Sequence, residues 1–140
     1  MKILGLDVGS KRIGMAISDA LGVTAQGLST LEIKNKENTL KELCNIVSEK
    51  EVKEVVVGLP LNMNGSHGPK AQEAARFADE LKEKIKVPVK LWDERMSTME
   101  AERVMIEAGA SRNKRKKKID KLAAQVILQS YLNAKSRENV

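Results

Sequence analysis

The sequence predicts a mixed α/β fold: a five-stranded sheet, built from an antiparallel three-strand meander and two parallel strands, with helices on both faces. Three observations carry this expectation. Residues 2–33 alternate short apolar runs with tight-turn residues and leave no room for a helix between them. The rest of the chain alternates helical stripes with apolar runs, the order of β-α-β units with right-handed crossovers. The run Glu54-Val55-Val56-Val57-Gly58-Leu59 is β-branched in the way that suits a strand covered on both faces in a sheet interior.

Lys2 to Asp7 reads as the first strand, with a tight turn over Val8-Gly9-Ser10-Lys11-Arg12. Ile13 to Asp19 reads as the second strand, Ala20-Leu21-Gly22 as its turn, and Val23 to Ile33 as a third strand or a pair of strand pieces. Leu40, Leu43, Cys44 and Val47 then mark an amphipathic helix, with Cys44 a small buried apolar group. After the Glu54–Leu59 strand and the breaker-rich loop from Pro60 to Pro69, Ala71, Ala74, Ala75, Ala78, Leu81 and Ile85 mark a second helix. Val87 to Trp92 is the last strand, with Trp92 a packing residue beneath its end. Ser97-Thr98-Met99-Glu100 has the form of a capping box for a helix that runs to Ala108 and stops at Gly109. Ser111 to Lys118 reads as a basic linker, Ile119 to about Ala134 as a final helix, and residues 135–140 as a polar C-terminal tail.

At 140 residues, 41% hydrophobic and 31% charged, the chain fits a single domain over residues 1–140. No apolar run approaches the roughly 20 residues of a membrane span, and Asp7 arrives before a signal-peptide core can form, so the cytoplasm is the expected compartment. One cysteine and one histidine exclude a thiolate zinc cage and leave little for Ser-His-Asp or Cys-His chemistry. The net charge of +6 and a sequence pI near 9.5 favour a polyanionic partner. Phe77, Trp92 and Tyr131 are too few to form a base-stacking platform, so nucleic acid would be held through its phosphates.

The candidate chemistry rests on carboxylates. Asp7 closes an apolar strand and is followed by Gly9 and Gly14, a setting in which a carboxylate can meet a metal-bound phosphate while glycines admit the substrate backbone. A turn aspartate capping the hairpin is the plainer alternative. Asp93-Glu94-Arg95 ends another strand, where alternation lets only one of the two acids face a given side. Asp120 stands near the start of the last helical stripe, where a negative charge is also favourable by itself. Together, a few carboxylates with substrate phosphate oxygens make a sufficient Mg2+ or Mn2+ site, and two such ions can drive phosphodiester hydrolysis without histidine or cysteine. The run Arg112, Lys114, Arg115, Lys116, Lys117 and Lys118, interrupted only by Asn113, favours phosphate contacts close to Asp120. Lys11 and Arg12 beside Asp7, and Arg95 beside Glu94, extend the same expectation. His67 lies in the 62–68 loop, where exposure alone explains it as readily as contact with water or substrate.

Four motifs, Leu4-Gly5-Leu6-Asp7-Val8-Gly9, Gly58-Leu59-Pro60 with Asn64-Gly65, Trp92 to Thr98, and Lys116 to Asp120 with Ala123-Ala124, occur in the order seen in the YqgF family, also called RuvX. The resemblance runs from Ile3 to about Leu132. That family is similar to RuvC resolvases and has been assigned to nucleolytic maturation of the small-subunit rRNA precursor. The resemblance implies an RNase H-like fold, a metal-dependent nuclease, and Asp7, Glu94 and Asp120 as catalytic, metal-binding residues. Unlike the RuvC pattern, the strand ending at Gly58-Leu59-Pro60 offers no acid, so the second carboxylate must come from Asp93-Glu94. A junction-cutting DNA endonuclease and a non-catalytic ribosome-assembly factor are the alternatives. RuvC-like enzymes that cut junctions symmetrically act as dimers, so a homodimer is also raised, though the sequence marks no face for it. Asp7-Val8-Gly9 resembles, in addition, the first phosphate motif of actin-like and sugar-kinase ATPases, whose two-domain closure 140 residues cannot supply.

Overall fold

The computed structural model describes residues 1–95 and the backbone of a helix over residues 112–138, with side chains over residues 122–136. The elements are β1 (Lys2–Val8), β2 (Arg12–Ser18), β3 (Ala25–Gly27), β4 (Leu31–Glu32), α1 (Lys36–Glu49), β5 (Val52–Leu59), α2 (Pro69–Lys84), β6 (Val89–Asp93) and α3 (Arg112–Glu138). The helix expected over residues 97–108 lies outside the described residues. The sheet order is β3-β2-β1-β5-β6, with β4 also on β2. β1 pairs antiparallel with β2 and parallel with β5, and β5 pairs parallel with β6. The sheet is mixed as expected, but among the described residues it has six strands because the third stretch divides into β3 and β4, both on β2.

Strand alternation sorts the core into two layers. Leu4, Leu6, Ile13, Met15, Val55 and Val57 pack under α1 and α2 with Leu40, Leu43, Phe77, Ala78 and Leu81. Ile3, Ala16 and Val56 face the other way, against Ala124, Ile127, Leu128, Tyr131 and Leu132 of α3. Helices therefore cover both faces. α1 is started by Asn35, whose side-chain oxygen accepts from the Glu37 and Asn38 N–H groups at 2.9 and 3.3 Å. Cys44 departs from the expected burial. It is half-buried at the edge of the helical stripe, and its thiol is 3.6 Å from the Lys84 carbonyl.

Two expectations for the C-terminal part are corrected. The basic stretch from Arg112 is the beginning of α3 and not a linker, and the same helix continues through Glu138, past the expected start of a tail. Lys and Arg are good helix formers, and no glycine or proline interrupts residues 112–138. At the far end, Lys135 meets Glu54 of β5 at 2.9 Å, which ties the helix to the sheet.

Close approach of α3 is possible because a row of small residues crosses the sheet beneath it. Gly5 pairs with Ala16, and Ala16 with Gly27. A Cβ on Gly5 would lie 2.8 Å from Leu128 Cβ and 3.3 Å from the Ala124 carbonyl. Two glutamines then close the open backbone near β3: Gln129 accepts from the Ala25 N–H at 2.9 Å, and Gln125 donates to the Ala25 carbonyl at 3.1 Å. The aromatics are spent on packing. Trp92 donates its indole N–H to Ser130 and meets Tyr131 edge-on at 5.4 Å, while Phe77 is buried under α2.

Glu54 is a buried carboxylate that periodicity alone did not single out. Only 3% exposed, it accepts from the Tyr131 hydroxyl and lies 2.9 Å from Lys135 and 3.4 Å from Lys90. Burial pushes its carboxyl up, but the Tyr131 hydroxyl and the two ammonium groups outweigh burial and hold it below the ordinary carboxylate range.

Two outcomes are expected. Gly5→Ala should cost about 1–3 kcal/mol in urea unfolding, because the added methyl meets a Cβ fixed to the helix backbone. Glu54→Gln should cost about 1–3 kcal/mol at neutral pH. A depressed folded-state pKa gives stability that is present above the unfolded value and lost as pH falls through the folded one. The gap between Glu54→Gln and wild-type melting temperatures should therefore close as the solution is taken below the ordinary carboxylate range.

Candidate functional site

Because β1, β5 and β6 run parallel, their carboxyl ends reach the same edge of the sheet, which brings Asp7, Gly58 and Asp93-Glu94 to one place. Asp7, partly buried, lies on the α3 face of β1. Its β2 partner is Gly14, and the Leu6–Val57 pairing puts Gly58 at the next step on the other side. Glycine therefore stands beside it on both neighbouring strands.

Glu94 follows β6 and is held by its own N–H, which donates to the Leu59 carbonyl at 3.1 Å. It is only 8% exposed. Its carboxylate lies over the Gly58 backbone, where a Cβ would sit 2.7 Å from Oε2 and 2.9 Å from Cδ. Glycine at position 58 thus supplies the room that Glu94 fills. Burial, the Asp7 charge and then the Asp93 charge raise the Glu94 pKa from an ordinary 4.5 to about 8, partly opposed by Lys70.

Asp93 is directed elsewhere. Its carboxylate forks onto Arg95, with Oδ2 2.7 Å from Nη2, and Oδ1 accepts the Arg95 N–H at 3.0 Å. The Arg95 side-chain bond lowers the Asp93 pKa, outweighing its partial burial. The tripeptide therefore divides its roles, with Glu94 set beside Asp7 and Asp93 set on Arg95. Arg95, expected among the phosphate contacts, is engaged by Asp93 and by the Met63 carbonyl at 3.2 Å.

Asp120 lies on α3, with its side chain outside those described. The helix runs antiparallel to β1, since Gln129 bonds to Ala25 while Gln125 lies one step along β3 at Gly27. Ala124 is over Gly5. Four helical residues rise about 6 Å and two strand residues about 6.6 Å, so the backbone of Asp120 comes level with Asp7. Lys11 and Arg12 are exposed in the turn that leaves the same edge, where the Gly9 N–H donates to the Arg12 carbonyl at 2.8 Å. Arg112 and Lys114 to Lys118 lie on the opening turns of α3, with their side chains outside those described. His67 is exposed, and its carbonyl accepts from the Gln72 carboxamide.

The pattern of acids and basic runs did not single out Lys70 or Gly58. Lys70 is exposed in the first turn of α2, and its charge acts on Glu94. Its signal in the sequence is its place one residue after Pro69, where a helix opens at the carboxyl edge of β5. Among the described residues no group of three or more His, Cys, Asp or Glu side chains is gathered to hold a metal. The donors present nevertheless suit a hard divalent cation: they are oxygens only, and burial sets two carboxylates against each other in a way that a cation would relieve. Among the described residues, a groove of about 420 Å³ lined by Met1, Leu21, Val23 and Leu132 lies at the opposite end of β1, away from this chemistry.

A mixed sheet flanked in this way, with acids at its carboxyl edge, defines the class of RNase H-like resolvase folds. Thermus thermophilus RuvC, solved with a Holliday junction substrate, matches with a TM-score of 0.59 at 17% identity, over 97% of this chain and 96% of that one. The fowlpox virus Holliday junction resolvase matches with a TM-score of 0.57 at 16% identity, over 96% of this chain and 99% of that one. Within that class the chain belongs to the RuvX family, whose model, described as "Holliday junction resolvase", matches residues 1–134. A protein of Halothermothrix orenii is 52% identical over 98% of both chains, and one of Geobacillus kaustophilus is 55% identical over 96% of this chain and 99% of its own. Both carry the name "Putative pre-16S rRNA nuclease".

The raised Glu94 pKa predicts a pH slope in protein kept free of divalent ions by EDTA. A carboxyl whose folded pKa lies above its unfolded value contributes stability below the unfolded value and loses it as pH rises. The melting temperature should therefore fall from about pH 4.5 to about pH 8, and Glu94→Gln should flatten that part of the profile.

Proposed function

We propose that this chain is a divalent-metal-dependent nuclease that hydrolyses phosphodiester bonds in the 5′ region of the 16S rRNA precursor during ribosome biogenesis in the cytoplasm. The observation that carries the proposal is the burial of Glu94 over Gly58 and beside Asp7, at the edge where the parallel strands end. The full-length relatives named for pre-16S rRNA support the choice of substrate.

Asp7, Glu94 and Asp120 would hold Mg2+ or Mn2+, with a two-ion site favoured. Such ions, when bound, activate water and stabilise the leaving oxygen of a phosphodiester. The chain's own residues do the rest. Glu94, whose pKa is raised by burial and then by the Asp7 charge, would hold such a cation as its carboxylate. Gly58 gives Glu94 the room to lie beside Asp7. Lys11, Arg12, Arg112, Lys114, Arg115, Lys116, Lys117 and Lys118 would hold the flanking phosphates, with affinity that falls as salt rises. Lys70 adds a cation on the α2 side.

Similarity of fold to RuvC favours one second reading, cleavage of four-way DNA junctions. Labelled precursor rRNA and a four-way DNA junction, each with Mg2+, Mn2+ or EDTA, separate the two. RNA products that require the metal, and that fall roughly 100-fold or more in Asp7→Asn, are expected. Junction products alone would shift the substrate to DNA. Salt-sensitive binding with no products on either substrate would overturn the nuclease and leave an assembly factor.

A further inference from the structure

We propose that Asp93 and Arg95 are positioning residues, which brace Glu94 and the 60–68 loop from one ion pair, and that Arg95 is not a phosphate contact. The inference rests on Glu94 being part of the acid cluster. Glu94 stands between the two residues in sequence, and their side chains bond to each other across it. Asp93 Oδ1 accepts the Arg95 N–H at 3.0 Å, an Asx-type turn that fixes the backbone on either side of Glu94. Arg95 Nε lies 3.1 and 3.0 Å from the two Asp93 oxygens, and Nη2 lies 2.7 Å from Oδ2. This is a planar fork that lysine cannot reproduce.

From the same guanidinium, Nη1 donates to the Met63 carbonyl at 3.2 Å. The loop that receives it is closed on itself. The Asn62 N–H donates to the Ser66 carbonyl at 3.0 Å, the Gly65 N–H donates to the Asn62 carbonyl at 2.8 Å, and the Ser66 hydroxyl donates to Asn64 Oδ1 at 2.6 Å. Gly65 takes φ of +87°, and a Cβ there would be 3.6 Å from Arg95 Nη1. Such a loop has a fixed shape of its own, and its orientation over the sheet depends on its outside ties. Among the described residues these include the Arg95 bond to Met63, the Gln72 bonds to the His67 and Gly68 carbonyls, the packing of Leu61 on the core, and the Glu94 N–H bond to Leu59 where the loop begins. The loop presents the exposed side chains of Asn62, Met63, Asn64, Ser66 and His67 beside the acids. With side chains 32% and 41% exposed, the ion pair adds little to global stability. Its effect is local: one pair sets both the Glu94 carboxylate and the wall next to it.

Arg95→Lys and Asp93→Asn in the full chain test this. Hydrogen exchange at the Asn62 and Gly65 amides should speed up severalfold in both variants with melting temperature nearly unchanged. On precursor rRNA with Mg2+, kcat should fall roughly 10- to 100-fold in both, as the acid loses its placement. RNA binding in EDTA should stay within about twofold of wild type, with the same salt slope. A phosphate-contacting Arg95 gives different signs. Asp93→Asn would then tighten RNA binding by freeing the guanidinium, and Arg95→Lys would keep both the charge and most of the activity. Either result overturns the proposal. Unchanged loop exchange in both variants also overturns it. Because exchange needs no catalysis, wild-type protein that cleaves nothing defeats the nuclease reading alone, and the exchange result still decides the brace.

Discussion

The distance at which α3 packs on the sheet is the constraint on which most of this molecule depends. The row Gly5-Ala16-Gly27 is low enough for Ala124 and Leu128 to settle almost onto the backbone of β1. Once the helix is at that distance, Gln125 and Gln129 reach the Ala25 backbone, Ser130 reaches the Trp92 indole, and Tyr131 and Lys135 reach Glu54. These bonds fix how far the helix slides along the strand as well as how high it sits. Sliding sets which strand residue the earlier turns of α3 come level with, because one helical turn matches two strand residues closely enough to carry the register from Gly5 to Asp7.

The acid pair depends on a second close approach. Glu94 occupies the space that a side chain at position 58 would need, and it does so with a carboxylate already facing the field of Asp7. Burying like charges together works against folding, and such arrangements collect at sites where a ligand supplies the missing charge. Glu54 offers the contrast within the same fold. It is at least as buried, yet a hydroxyl and two ammonium groups surround it, and its pKa moves the opposite way. One carboxylate is held charged by the donors around it, whereas burial and the Asp7 charge push the other toward its neutral form.

Much of the fold was legible in the residues alone. Apolar and β-branched runs bounded by turn residues gave β1, β2, β5 and β6, and the helical stripes gave α1 and α2, because apolar pattern and burial are directly linked. Asp7 stood out as a carboxylate ending an apolar strand, and the Asp93-Glu94 alternatives were correctly limited to one per side. The basic stretch misled, since a like-charge run reads as a linker while its residues are good helix formers. Cys44 misled in a milder way, because a stripe gives the face but not the depth of each position. The pairing of Arg95 with Asp93 was not legible, because a tally of charges does not say which of them meet.

By itself, then, the sequence determined the order and type of the main elements, the polyanion-seeking charge, and a short roster of acids. These arise from local period and composition, which each segment carries within itself. The tertiary structure decided which acids meet. Asp7 and Glu94 are separated by most of the chain, and they come together only because three parallel strands end at one edge and Gly58 leaves an opening between them. It also decided that Asp93 and Arg95 serve each other and that Glu54 anchors α3. Those outcomes depend on distances between remote segments, and hydrogen bonding and Coulomb forces act on distance in space regardless of position along the chain.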